Sequence, residues 1–452
     1  MSAAPTRPRP PQTLLGRLAG MDLFSVYLSG FIILYGLVSI GLEHGVGIVG
    51  FAKTPYLNAG AYAYSLGFFM LALLFDKVRL TVLVPHPLAI AMLVAGFVSA
   101  VVGFSNGNAT PYIGAWSLYI VTGVLMFQLF RHARHGNGEV ARTIDSLYSL
   151  PFLALMLVFA FLSVFNKDNH YQYVLFEVIA LYGVLMRRSL IEKAISAIIY
   201  LCIHLGSNEG FVQIEINRAS ILAIGATGLI FMLYRRYLVT LFFVIFAAIG
   251  GLLYALSLDD ATVELLPRNV KEAILLMKGD DIYNHVSSYQ RVYEGQKVME
   301  DYEQASDAEW LFGKGLGRTV DMAGSVDRTV GQHALLGVNE VHNIHFLHYA
   351  VFHKFGLAGL TLLALIVACV VLWFVVDLAN GRLDRGRMFL YFYLVYNLVF
   401  AMPASNFLLA NPLWPAFLGL LATSRLRDGK VAPETALQPA LTWNPQSGRT
   451  FS

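Results

Sequence analysis

The chain has 452 residues, of which 57% are hydrophobic and only 13% are charged. A soluble domain carries about a quarter charged residues, so this composition excludes an ordinary soluble protein and predicts an integral membrane protein. The net charge of +3 favours no particular partner. Cys202 and Cys369 lie in apolar stretches outside any CxxC pattern, so neither a disulfide framework nor a thiolate metal site is predicted.

The first 21 residues are rich in proline and arginine, and we predict that 1–21 is a disordered cytoplasmic tail. A transmembrane helix needs about 20 mostly apolar residues, and twelve segments come close to that length. We expect helices 1–9 within 22–257, helices 10–12 with a preceding edge helix within 342–424, and a second cytoplasmic tail over 425–452. The twelve segments lie near 22–43, 57–75, 84–104, 111–130, 148–166, 171–186, 190–206, 218–234, 237–257, 356–378, 388–404 and 408–424.

The distribution of basic residues favours one orientation of these segments. If the N-terminus is cytoplasmic, the cytoplasmic connections include "DKVR" (76–79) and "YRRY" (234–237), whereas opposite connections such as "GFSNGNATP" (103–111) carry few lysines or arginines. Lysine and arginine are enriched in cytoplasmic loops. The sequence therefore predicts about twelve spans with both termini in the cytoplasm.

One connection on the outer side, residues 258–341, is long and polar. It contains 15 aspartates and glutamates against 8 lysines and arginines, a net charge of −7. Its apolar residues recur at spacings that suit short amphipathic helices. The predicted fold is therefore an all-α polytopic membrane protein whose large outer loop forms a small helical cap.

Arg218 stands at the outer end of the eighth predicted span, in "EINRASILAIGATG". An arginine at that depth can extend its guanidinium to the membrane interface. It can also bind an anion, because its planar set of donors suits phosphate oxygens. Glu215 lies three residues earlier and could orient the guanidinium in the second case. The residues alone leave both interpretations open.

Arg291 lies in a predicted helix of the outer loop, in "SSYQR", and is followed by glycines at positions 313, 315 and 317. A glycine-rich turn without a preceding strand and a following helix is weak support for a nucleotide site. We interpret these glycines as a tight turn that returns the loop to the membrane.

The loop ends in "VNEVHNIHFLHYAVFHKFGLAGL", which contains His342, His345 and His348. Imidazole has an ordinary pKa near 6.5 and can accept a proton at neutral pH. The i, i+3, i+6 spacing drifts around a helix and lacks an accompanying carboxylate, so we predict no metal site. We expect His353 and Lys354 to lie at the membrane interface before the next span.

Four motifs carry a resemblance to a known family. They are, in chain order, "NRASILA", "SSYQR", "LFGKGLG" and the "HN" of His342 and Asn343 followed by "FGLAGL". Together with the topology over about 200–420, they resemble the membrane glycan polymerase and ligase superfamily of Wzy-type polysaccharide polymerases and O-antigen ligases. The resemblance implies a multi-pass protein of the bacterial inner membrane with a periplasmic loop.

The resemblance also implies roles for the site residues. His342 corresponds to the loop-end histidine, a general base or acceptor-positioning group, with Asn343 in support, while Glu215 keeps its supporting role beside Arg218. Arg218 and Arg291 correspond to the arginines that hold the diphosphate of an undecaprenyl-linked glycan. The implied activity is a metal-independent, inverting glycosyltransferase without a cofactor. Its partners would be undecaprenyl-diphosphate-linked oligosaccharides as donor and acceptor, membrane lipids and a chain-length regulator, with no nucleic acid.

Three functions compete under this interpretation. We favour a polymerase of exopolysaccharide or O-antigen repeat units. An O-antigen ligase, which transfers the glycan to lipid A-core, is the first alternative, although the acidic loop does not favour a phosphate-rich acceptor by long-range attraction. A glycan flippase or secondary transporter also fits twelve spans, but the two halves of the sequence look unlike each other.

Overall fold

The computed structural model describes residues 22–48, 53–74, 86–132, 139–164, 174–208, 211–214, 217–266, 268–281, 285–322 and 340–428. Over these residues the protein is mostly helical, with two short antiparallel strand pairs, β1 with β2 and β3 with β4. The elements are α1 (Leu23–Ile33, continued by π-helical Leu34–Val38 and Gly41–Gly45), α2 (Lys53–Leu74), α3 (Pro87–Ser105), α4 (Thr110–His132), α5 (Glu139–Ser146), α6 (Leu150–Val164), α7 (Val174–Met186), α8 (Leu190–Ile203), β1 (Leu205–Asn208), β2 (Phe211–Ile214), α9 (Arg218–Tyr234), α10 (Leu238–Ser257), α11 (Asp260–Glu264), α12 (Arg268–Met277), α13 (Val286–Tyr302), α14 (Asp307–Phe312), β3 (Val320–Asp321), β4 (Glu340–Val341), α15 (Leu347–Ala379), α16 (Arg385–Ala401), α17 (Asn406–Leu409) and α18 (Leu413–Asp428).

Several helices are long and apolar enough to cross a membrane, which agrees with the predicted all-α polytopic class. Each of the twelve predicted segments contains a helix, but six helices of the described ranges meet both the length and the composition of a span, or seven if the bent pair α5 and α6 counts as one. A 13-residue helix such as α7 rises only about 20 Å, against a hydrocarbon core of about 30 Å. The count of twelve is therefore not confirmed. The six are Leu23–Glu43, Tyr56–Leu74, Pro87–Ser105, Thr110–His132, Leu238–Ser257 and Leu347–Ala379.

Buried aromatic side chains hold the central helices together. Phe24 of α1 meets Phe130 of α4 and Phe417 of α18 edge to face, with ring centroids 6.2 and 5.4 Å apart. Tyr393 of α16 stacks on Phe417 with centroids 4.0 Å apart. Since lipid is as apolar as these rings, close packing and ring geometry stabilise the contacts more than removal from water does.

Helix α10 has a different environment, because none of its residues is buried. Its side chains are apolar around the whole circumference, as lipid contact requires. The helix therefore joins the bundle to the outer loop without contributing to the core.

The outer loop forms α11 to α14 and β3 before it reaches β4. Ser306 begins α14 with a capping box, in which the Glu309 N–H donates to the Ser306 hydroxyl and the Glu309 carboxylate accepts from the Ser306 N–H. Of the predicted tails, only 425–428 are described, where α18 continues past its predicted end; 1–21 and 429–452 lie outside the described residues.

Helix α15 is broken at Gly356, where φ is 61° and ψ is −157°. The tenth span was predicted near 356–378, but the helix already begins at Leu347. The glycine-rich turn packs into the break: the Lys314 N–H donates to the His353 carbonyl over 2.8 Å, and the Leu316 N–H donates to the Ser99 carbonyl of α3 over 2.9 Å. The interpretation as a turn that returns to the membrane helices is confirmed.

Only glycine fits at the centre of this turn. Gly315 has φ of 88°, and a Cβ at that position would lie 2.3 Å from the backbone nitrogen of Gly103. A Cβ on Gly356 would meet the backbone of Leu311 and Gly313 at 2.5 Å. These contacts fix the distance between the outer loop, α3 and α15.

We expect Gly315→Ala to destabilise the protein by more than about 2 kcal/mol, because the left-handed backbone costs about 1–2 kcal/mol and the clash is with backbone atoms. The matched control is Gly67→Ala, since Gly67 is helical and has no atom within 4 Å of a new Cβ. The apparent Tm of the purified protein in detergent measures both. An unchanged Tm for Gly315→Ala would contradict the close approach.

Candidate functional site

The two arginines singled out from the sequence both reach helix α13. Arg218 begins α9, where the side chain of Asn217 caps the helix by accepting from the Ala219 N–H. The Arg218 guanidinium donates to the Ser288 hydroxyl of α13 over 2.9 Å and pairs with the nearly buried Glu272 carboxylate of α12. Ser288 precedes Arg291 by three residues, so the two lie on the same face of α13.

Arg291 is held by the turn that precedes α17. Its Nε donates to the carbonyl of Pro403 over 3.2 Å. In the same turn, the Ser405 N–H donates to the His345 carbonyl over 2.7 Å and the Ser405 hydroxyl donates to the Ile344 carbonyl. One turn therefore fixes both Arg291 and the segment 342–346, which contains His342 and Asn343.

His342 is held from two sides. Its imidazole stacks on Tyr112 of α4, with centroids 3.9 Å apart and planes 8° from parallel. Its carbonyl accepts a hydrogen bond from Lys354 Nζ over 2.9 Å. Burial, together with the nearby Lys354 ammonium, lowers the pKa of His342 to about 4, so the imidazole is neutral at pH 7. Asn343 follows it and is half-buried.

Lys354 is fully buried, and so is its neighbour His353. Lys354 Nζ lies 4.7 Å from the centre of the Trp116 ring, a cation–π contact, and the Lys354 carbonyl accepts from the Ser99 hydroxyl over 2.5 Å. Both side chains are enclosed by protein, whereas their place at the membrane interface stays a prediction. Because α15 begins at Leu347 and breaks at Gly356, the glycine-rich turn covers them.

His353 belongs to an ion-pair cluster that ties α13 to α15. Its Nε2 lies 3.1 Å from Asp301 Oδ2, and Arg318 donates to both oxygens of the same carboxylate over 3.0 and 2.5 Å. Burial alone would raise the pKa of Asp301, but the hydrogen bonds from His353 and Arg318 outweigh it and hold that pKa well below its usual range. The cluster therefore depends on an ionised Asp301.

The histidines of the loop end face different partners. His345 Nδ1 lies 2.8 and 2.9 Å from the two oxygens of the buried Glu294 carboxylate, whereas the exposed His348 packs against Tyr349 and Phe346. Within the described ranges, no group of three or more His, Cys, Asp or Glu side chains is placed to hold a metal ion.

An apolar cavity of about 150 Å³ adjoins Lys354 through the ring of Trp116. Apolar side chains dominate its lining, which suits a hydrocarbon group. Its lining residues come from α2, α3, α4, α15, α17 and α18 and from the turn between the last two: Tyr62, Met92, Ala95, Trp116, Tyr119, Ile120, Gly123, Val351, Phe355, Gly359, Leu362, Leu363, Ile366, Leu408, Leu409, Asn411, Trp414 and Pro415.

Sequence reasoning missed Glu272 and Glu294, and it missed the contacts that Lys354 makes. Glu294 follows Arg291 by three residues, so helical spacing alone could have placed it on the arginine face of α13. Glu272 and Lys354 reach the site only through tertiary packing, which no local pattern reports. Glu215, the predicted partner of Arg218, lies outside the described residues, and the carboxylate that pairs with Arg218 in the described part is that of Glu272.

We expect Asp301→Asn to cost about 2–3 kcal/mol at pH 7, since it removes the charge that Arg318 and His353 share. Because the folded pKa of Asp301 is lowered, its stabilisation is complete above the unfolded pKa of about 3.9 and is lost as the pH falls through the folded value. The gap in apparent Tm between wild type and variant should therefore be the same at pH 7 and pH 5 and shrink below about pH 4. Glu303→Gln, an exposed neighbour, is the control. An equal gap at every pH would contradict the ionised cluster.

No protein-family model matches the chain, and no curated protein matches it in sequence. The arrangement of Arg218 and Arg291 around α13, with the loop-end histidines and the buried Lys354, is thus the basis on which a function can be argued.

Proposed function

We propose that this protein is a polysaccharide polymerase that joins undecaprenyl-diphosphate-linked repeat units at the periplasmic face of the bacterial inner membrane, in exopolysaccharide or O-antigen biosynthesis. The proposal includes the twelve-span topology with cytoplasmic termini, in which the shorter helices pair or thin the bilayer locally. One observation carries it: Arg218 hydrogen-bonds Ser288, which shares a face of α13 with Arg291, and Arg291 is bound by the turn that also holds the segment of His342 and Asn343.

The chemistry of chain extension matches this arrangement. A hydroxyl of the acceptor sugar attacks the anomeric carbon of the donor, and the bond from that carbon to the diphosphate oxygen breaks. Two guanidinium groups can neutralise the charge that develops on the departing diphosphate, as a metal ion does elsewhere. One direct displacement inverts the configuration at the anomeric carbon.

The apolar cavity supports a lipid-linked substrate. It is lined by Val351 and Phe355, the neighbours of Lys354 on α15, and by Trp116, whose ring meets the ammonium. Hydrocarbon in this cavity would bring an attached phosphate towards Lys354. Burying this amine in a membrane helix is costly, and its contacts with the Trp116 ring and the His342 carbonyl offset that cost.

The gene deletion separates the candidate functions. We expect single repeat units to accumulate on the lipid carrier and on lipid A, with long polymer missing from gels of lipid-linked glycan and lipopolysaccharide. Long polymer that stays on the carrier would identify an O-antigen ligase instead. Repeat units trapped on the cytoplasmic face would identify a flippase.

In a purified system, we expect the protein to convert lipid-diphosphate-linked repeat units into longer products, and Arg291→Ala to lower the rate by about 10²-fold or more. Arg291→Lys should restore little of it, because an ammonium lacks the planar pair of parallel donors with which a guanidinium binds phosphate oxygens. Lys297→Ala is the control on the same helix, since Lys297 pairs with Glu300 at the surface. Full rescue by lysine would show that charge alone suffices.

Glu272 competes with a diphosphate for Arg218. We expect Glu272→Gln to tighten binding of undecaprenyl diphosphate in detergent by roughly fivefold, about 1 kcal/mol, because the guanidinium no longer has to leave a carboxylate. Glu264→Gln removes the same charge from an exposed pair with Lys271 and should leave the Kd unchanged. Weaker binding by Glu272→Gln would show that the carboxylate orients Arg218 instead.

A further inference from the structure

Hydrogen bonds fix both the backbone and the ring of His345, although its side chain is partly exposed. The buried Glu294 carboxylate accepts from the His345 backbone N–H over 2.8 Å and from its Nδ1–H over 2.8 and 2.9 Å. The side-chain amide of Gln290 donates to the same carboxylate over 3.1 Å. With the His345 carbonyl bound by Ser405, both the backbone and the ring of this residue are fixed.

This arrangement selects one tautomer. A carboxylate can only accept, so Nδ1 carries the hydrogen and Nε2 carries the lone pair. The His345 side chain is 28% exposed whereas that of Glu294 is 0% exposed, and no described residue hydrogen-bonds Nε2. The lone pair is therefore available to a ligand, with a buried carboxylate behind the ring to stabilise the imidazolium that would form.

His342 is less suited to take a proton. Its ring lies flat against Tyr112 without a carboxylate partner among the described residues, and its lowered pKa makes it a weak base near neutral pH. A flat pair of rings is better suited to contact a sugar. The two histidines, three residues apart, thus have different environments.

We propose that His345, oriented by Glu294, is the general base that accepts the proton of the attacking hydroxyl, and that His342 positions the acceptor sugar. This inference rests on the proposed glycosyltransferase function. Glu294 follows Arg291 by three residues, so the two lie on the same face of α13. The proposed base, His345, is therefore bound to the helix face that carries a guanidinium that would hold the diphosphate.

In the proposed step, Nε2 of His345 accepts the hydroxyl proton while the acceptor oxygen forms the bond to the anomeric carbon. The bond from that carbon to the diphosphate oxygen breaks, and its electron pair leaves with the diphosphate. The proton on Nε2 then passes to water. No oxidant, reductant or further reactant is needed.

The test measures kcat and KM for lipid-linked repeat units with the full-length protein in detergent. We expect His345→Ala to lower kcat by about 10²–10⁴-fold with little change in KM, and added imidazole to restore part of the rate. Glu294→Gln should lower kcat in the same direction with the Tm checked alongside. His342→Ala should mainly raise KM, and His348→Ala, at an exposed position, is the control.

The outcomes are distinct. If the wild-type protein extends no glycan, the proposed function fails. If the wild type is active and His345→Ala keeps its kcat within twofold, the assignment of His345 is overturned. A loss of kcat that imidazole does not restore overturns it as well, because a merely structural role would give that result.

Discussion

The outer half of this protein depends on one close backbone approach, between the glycine-rich turn, helix α3 and the break in α15 at Gly356. Two main-chain hydrogen bonds, to the carbonyls of Ser99 and His353, hold the turn in place. The break interrupts a membrane helix, and the turn supplies a hydrogen-bond donor to part of the backbone that the break exposes. Lys354 is buried because of this contact, and through Lys354 the position of His342 is set.

The acidic residues of the outer loop act locally. Glu272 pairs with Arg218, Glu294 with His345, and Asp301 with Arg318 and His353. The net charge of −7, which at the sequence level disfavours an anionic acceptor, therefore includes carboxylates that neutralise the basic groups of the site. Net charge is a poor guide to the field at a site when the charges of opposite sign lie in contact.

The sequence predicted the positions of the helices well, because apolar segments and basic connections follow directly from the bilayer. It predicted their lengths poorly, since bends such as that between α5 and α6 arise from packing. Arg218 and Arg291 were singled out as candidates from the sequence, Arg218 because it lies at the end of a predicted span and Arg291 because of its motif in a loop helix. The contacts of Lys354 and Tyr112 could not be predicted, because both join residues far apart in the chain. The position of Glu294 on the face of Arg291 could have been predicted from helical spacing.

The glycine-rich turn also divides the outer loop into two. A loop attached only at its two ends has a closure entropy that is set by its whole length. The attachment to α3 and α15 divides this loop into two shorter segments, each with its own closure entropy. The second of these begins at β3 and ends at β4, where Val320 and Val341 are paired. This pairing closes the second segment beside α13 and the segment that carries His342, where Val320 packs with Val298 and Ile344, so the position of these elements does not depend on the length of chain between the two strands.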